Sequence, residues 1–246
     1  MNLDPKDERA LKGLVADLRG MHGDALLCMA LTGEAAGPGY VPRRSPLNVV
    51  VVLEEVTPDA LRRTRGRIST WRRRRIPTPL LMDPRYIESS LDVFPLEFLE
   101  IADRHRVLEG RSDLFADLEV DLPHLRLEVE EQIRGKLLHL WEAYLEAAGS
   151  KRALRQLLLE TPPGFEVILR GMLRLGQGAQ QEGSRSADPQ TLLREVEERF
   201  ALELSAFRRL EAVRRGRAKL PRAELDGVFD AYLAEVRRLV GVADDL

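Results

Sequence analysis

The run Val49-Val50-Val51-Val52-Leu53 constrains this chain more than any other feature. Its β-branched valines favour extended backbone over helix. The run is far shorter than the roughly 18 apolar residues a membrane helix needs. No polar residue alternates with the apolar ones, so a strand here has to be covered on both faces. It is also too apolar to lie at a sheet edge. A second apolar stretch, residues 25–31 (Ala-Leu-Leu-Cys-Met-Ala-Leu), reads as another buried strand just ahead of it.

Around these two strands the pattern alternates between helix and strand. Leu11, Leu14, Val15, Leu18 and Met21 recur at helical spacing, and Gly20 and Gly23 close that helix. Thr57-Pro58 has the chemistry of a helix start: a hydroxyl cap, then a proline whose missing N–H costs nothing there. The spacing predicts one helix from there to about residue 75, a short strand over 78–82 and another over 96–101. From Leu122 onward strand signals vanish. Leu125, Val129, Ile133, Leu137, Leu140 and Tyr144 mark one face of a long helix. Shorter helices are expected over 153–159 and 165–173. Asp188-Pro189 caps a long helix over 190–218, and a last one follows over 222–240. The polar, glycine-rich segment 176–189 reads as a loop. The expected fold class is α+β: a small mixed sheet with flanking helices over residues 1–118, then an all-helical domain of about five helices over 119–246.

Composition excludes several classes. The 246 residues are 44% hydrophobic, too apolar for a disordered chain. A single cysteine excludes an internal disulfide framework and a multi-cysteine zinc site, and the four histidines are scattered, so no metal site is expected. The formal net charge of -2 gives no global argument for nucleic acid. The first ten residues are charged and lack the apolar core of an export signal, so a cytoplasmic location without membrane partners is the expectation.

The segment between the two apolar strands carries the functional reading. It holds Gly33, Gly37, Pro38, Gly39, Pro42 and Pro46, a density of turn residues that prevents regular structure. A glycine turn after one strand, with a polar residue heading the next, resembles the core motif of the nucleotidyltransferase superfamily, the fold shared by DNA polymerase β and the aminoglycoside adenylyltransferases. The resemblance covers about residues 10–110. In that family the first strand ends in Gly-Ser. The next strand begins Asp-x-Asp, which aims two carboxylates at a magnesium pair because alternate strand positions face one side. A third carboxylate lies on a later strand. Gly33 matches the family glycine, and Glu34 falls where serine is usual. Ser45-Pro46-Leu47-Asn48 falls where Ser-Asp-x-Asp is usual, and Glu97 is nearest to the third carboxylate. The resemblance therefore implies weak nucleotide-binding candidates at Gly33, Glu34 and Ser45, and degenerate catalytic positions at Pro46, Asn48 and Glu97. Proline offers no metal ligand. Asn48 offers only a neutral carbonyl oxygen, and Glu34 sets a negative charge where a triphosphate would sit.

The expected function is accordingly a catalytically degenerate member of that fold, binding a small ligand or a protein partner. No cofactor is expected. The first alternative is an active enzyme moving a nucleotide from a magnesium-bound nucleoside triphosphate to a small molecule or protein. The second is RNA binding through Arg62, Arg63, Arg65, Arg67, Arg72, Arg73, Arg74 and Arg75, a run with no acid between residues 61 and 76 and with Trp71 inside it for stacking. Its bland counterpart is a solvated helix face in a chain whose 38 basic residues are nearly all arginine. Arg134 and His139 have a spacing that resembles the catalytic pair of HEPN-type ribonucleases, although positions five apart on a helix diverge by about 140°. His105 reads as a surface histidine, and Cys28 as a buried, inert thiol.

Overall fold

The computed structural model describes residues 3–37, 40–110, 112–177 and 188–246. The chain divides into two compact units, Met1–Val120 and Asp121–Leu246.

The first unit is built on a four-stranded mixed sheet. Its strands are β1 (Leu26–Thr32), β2 (Asn48–Leu53), β3 (Leu80–Met82) and β4 (His105–Gly110), in the spatial order β3-β2-β1-β4. β1 runs antiparallel to β2 and to β4, and β3 lies parallel to β2. The two apolar runs thus take the two central positions. Met29, Leu31, Val49, Val51 and Leu53 point to one face, where they meet Leu11, Leu14 and Leu18 of α1 (Pro5–His22) and Trp71. Cys28, Ala30, Val50 and Val52 point to the other, where they meet Ile87 of α4 (Pro84–Glu88), Phe98 and Ile101 of α5 (Pro95–Asp103), and Phe115.

Several helices start on the same local device, a capping side chain followed by proline. Asp4 accepts from the Lys6 N–H at 2.9 Å, Thr57 from Ala60 at 3.1 Å and Asp83 from Tyr86 at 2.9 Å, each ahead of a proline at the first helical position. The cap expected at Thr57 is therefore present. The single helix expected to reach residue 75 is instead two, α2 (Pro58–Arg65) and α3 (Ile68–Arg73). The break falls at Gly66, whose N–H turns back to the Arg63 carbonyl at 3.2 Å. Glycine is a weak helix former, and this tightened turn ends α2.

Two strand assignments need correction. Residues 96–101 are helical, inside α5, because Pro95 pre-sets the first turn and because Leu96/Leu99 and Phe98/Ile101 recur at spacing three. The edge strand β4 follows directly. Residues 105–109 are half-buried and Gly110 is exposed, which is why the polar sequence His-Arg-Val-Leu-Glu-Gly concealed it. Gly110, at φ 146°, lets β4 close on β1: a Cβ there would lie 2.8 Å from the Leu27 carbonyl oxygen.

The second unit is helical: α6 (Leu122–Glu146), α7 (Lys151–Glu160), α8 (Glu166–Gln177), α9 (Pro189–Phe200), α10 (Ser205–Arg214) and α11 (Leu225–Asp244). α6 and α11 pack antiparallel. Arg126 donates to the Asp244 carbonyl at 2.9 Å near one end, and Tyr144 stacks on Phe229 at 4.1 Å near the other. Phe165, Phe207 and Tyr232 form an aromatic cluster between helices, with the Phe207 and Tyr232 rings 4.7 Å apart. The Asp188 cap is present, accepting from Thr191 N–H at 3.1 Å. The long helix expected over 190–218 is two, because Ala201 adopts a left-handed φ of 51° and ends α9. Most of the loop expected over 176–189 lies outside the described residues. Among the described residues no helix is long and apolar enough to cross a membrane.

Candidate functional site

The segment joining β1 to β2 begins at Gly33, whose φ of 69° is open to glycine and strained for other residues. Its N–H donates to the Arg104 carbonyl at 3.1 Å, which ties the turn to the start of β4. A short 3-10 turn, Gly33–Ala36, then presents Glu34 at the surface. Ser45 is buried and bridges the segment: its hydroxyl donates to Glu34 Oε2 at 2.9 Å and accepts from the Val41 N–H at 2.9 Å. Leu47 is buried as an anchor, while Pro46 and Asn48 on either side are exposed.

The same segment is fastened to α1 by a network invisible in the sequence. Asp7 is only 1% exposed. Its Oδ2 accepts from the Tyr40 hydroxyl at 2.8 Å and from the Arg43 N–H at 3.2 Å, and its Oδ1 accepts from Arg43 Nη1 at 3.1 Å. The Tyr40 oxygen in turn accepts from the Asp4 N–H at 3.0 Å. Burial would push the Asp7 carboxyl up, but hydrogen bonds from Tyr40 and Arg43 and the Arg43 charge outweigh it and hold the group below the usual range.

Across the end of the sheet, register aligns three residues in one row: Asn48 on β2 opposite Thr32 on β1, and Thr32 opposite His105 on β4. The row lies on the face that carries Ala30 and Val50. His105 is not a surface histidine, since its side chain is 10% exposed. Nδ1 lies 2.9 Å from the Ile101 carbonyl and 3.0 Å from that of Ala102, while Nε2 lies 2.8 and 2.9 Å from the two Asp113 carboxylate oxygens. All four partners are acceptors on this unit, so both ring nitrogens are engaged within the fold. Burial pushes the Asp113 carboxyl up, yet the hydrogen bonds from His105 and the Phe115 N–H bring it below its ordinary value.

Glu97, expected on a neighbouring strand, is on the exposed side of the first turn of α5, whose Phe98 and Ile101 face the sheet. The carboxylate on β4 is Glu109, opposite Met29 and hence on the other face, 3.6 Å from Arg19. The sheet end where a metal pair would be held therefore presents an amide, a hydroxyl and an imidazole. Among the described residues no group of three or more histidine, cysteine, aspartate or glutamate side chains could hold a metal ion. This donor set does not fit a magnesium pair, which takes anionic oxygens.

The arginine run is largely occupied within its own unit. Arg62 and Arg63 face Asp59 at 3.9 and 2.6 Å, and Arg67 pairs with Asp17. Trp71 is fully buried and donates Nε1–H to Asp17 at 2.9 Å, so its ring does not offer a stacking platform. Arg72 and Arg73 donate to Thr78 and Thr70, and Arg74 lies over Gly13 of α1. Arg65 is exposed and Arg75 half-buried. Arg134 and His139 of α6 take separate partners, Arg134 bonding to Asp244 of α11 and His139 facing Glu142 at 3.2 Å. Cys28 is fully buried, and burial pushes its thiol up.

A mixed sheet of this order, a glycine turn between its central strands and an appended helical unit define a nucleotidyltransferase-like fold. Among solved structures, the chain is similar to the spectinomycin adenyltransferase of Enterococcus faecialis, determined with ATP and spectinomycin. The TM-score is 0.56 at 11% identity, over 96% of this chain and 99% of that one. No protein-family model and no curated protein matches the sequence.

Proposed function

We propose that this chain is a nucleotidyltransferase-fold protein that binds a small ligand or a protein partner through the former catalytic end of its sheet, without metal-dependent nucleotidyl transfer. The observation that carries the reading is the row Asn48–Thr32–His105. A two-metal transfer needs carboxylates to neutralise the ions that bridge the phosphates. Here Pro46 supplies no ligand, Asn48 supplies a neutral one, and Glu97 is on a helix. Glu34, the acid nearest the glycine turn, is held by Ser45 in a closed hydrogen-bonded loop. What remains is the exposed Asn48 amide at the head of a rigid sheet end, beside a buried Thr32 and a His105 engaged by Asp113, a polar corner suited to recognising a polar ligand or segment.

The test is incubation with labelled ATP, CTP, GTP and UTP and magnesium or manganese, scoring self-labelling and transfer to a cell extract. No transfer is expected. Label transfer abolished by Glu34→Ala would show a rebuilt metal site and overturn the proposal.

A further inference from the structure

The second unit carries a groove unrelated to the sheet end. It lies where α7 begins and where the segment after α10 turns into α11, and it is open to solvent with a volume of about 840 Å³, within the range of small-molecule sites. Its charged lining is wholly basic: Lys151, Arg152, Arg155, Lys219 and Arg222. No acidic residue lines it, in a chain whose net charge is -2. Two acids stand near the α11 end of the groove. Asp226 is bonded to Lys151 and Glu224 to Arg209. Arg152, Lys219 and Arg222 are exposed and make no ion pair with a described residue.

Position and preorganisation support a built site. α6 spans about 37 Å at 1.5 Å per residue, and α11 packs antiparallel to it, so the groove lies at the end of this unit opposite Asp121. Arg155 is pinned in the wall by its bond to the Leu220 carbonyl at 2.8 Å, which also holds the loop carrying Lys219. The floor is apolar, with Leu220 and Leu225 both buried. Clustered like charges cost folding energy unless an anion neutralises them, and guanidinium forks match phosphate oxygens in pairs.

We infer that this groove binds a phosphate-bearing small molecule, the phosphate on Arg152, Lys219 and Arg222 and the remainder against the Leu220–Leu225 floor. A short groove confined to one end of the unit, with an apolar floor, favours a small ligand over a nucleic-acid backbone, which tracks extended basic surface.

The test uses the full chain in metal-free, low-salt buffer and inorganic tripolyphosphate as the calorimetric probe. Saturable one-to-one binding is expected. It should weaken at least about tenfold in the triple variant Arg152→Gln, Lys219→Gln, Arg222→Gln, because charge-assisted hydrogen bonds are the strong kind. It should persist in Arg152→Lys with Arg222→Lys and in Asn48→Ala. The three residues are exposed and make no ion pair with a described residue, so the triple variant should melt no lower than the parent. Absence of saturable binding, equal binding by the triple variant, or loss in Asn48→Ala would overturn the inference. A single-stranded RNA 20-mer that binds more tightly than tripolyphosphate and is lost in the same triple variant would also overturn it, by reassigning the groove to nucleic acid.

Discussion

Asp7 holds the β1–β2 segment onto α1, and its replacement should loosen the whole site. The Tyr40 hydroxyl bonds a charged acceptor at 2.8 Å in a buried setting, a bond of about 1.5–3 kcal/mol. Arg43 is 46% exposed, so solvent screening limits its ion pair to at most about 1 kcal/mol. Asp7→Ala should therefore destabilise the first unit by about 2–4 kcal/mol, or about 6–15 °C in melting temperature for a unit of this size. The measurement is urea unfolding of Asp7→Ala, Tyr40→Phe and the double variant. The cycle should return a coupling of about 1.5–3 kcal/mol. The acid limb gives a second readout. The Asp7 carboxyl is held below its ordinary value, so its contribution is complete above the unfolded carboxylate pKa and is lost as pH falls through the folded one. Asp7→Asn should remove that part of the acid sensitivity. A single-variant loss below about 0.5 kcal/mol, the range of an ordinary surface substitution, would refute the claim that this carboxylate fastens the loop.

Gly110→Ala should cost about 2–3 kcal/mol, because its φ of 146° and a Cβ 2.8 Å from backbone both oppose a side chain there; an unchanged urea midpoint would contradict the β1–β4 closure. Cys28 should resist a thiol reagent such as dithionitrobenzoate in the folded protein and react fully once unfolded, since its thiol is buried and pushed up; rapid native labelling would show the central strand to be open.

Different physical signals account for what could be foreseen. The two central strands were legible because apolar runs without alternation have one stable location, the middle of a covered sheet. Helix starts were legible because Thr57-Pro58 and Asp188-Pro189 act locally, within one turn. The segment Leu-Glu-Phe-Leu-Glu-Ile at 96–101 alternates only imperfectly at a period of two and repeats fully at a period of three, and Pro95 with the packing of Phe98 and Ile101 on the sheet decides for helix. The strand β4 was concealed because edge positions tolerate charge, so its pattern resembles a loop.

The amino-acid order alone determined the layered α+β first unit, the helical second unit and the placing of Pro46 and Asn48, neither of them a carboxylate, at the head of β2. Those properties depend on residue type and on spacing within a few positions. The tertiary structure decided the rest: the row Asn48–Thr32–His105, the Asp113 partner of His105, the grip of Asp7 on Tyr40 and Arg43, and the convergence of Arg152, Lys219 and Arg222 on one groove. Strand register and helix packing bring these groups together from eight to about seventy residues apart, and their pairing is a property of the folded chain rather than of any local pattern.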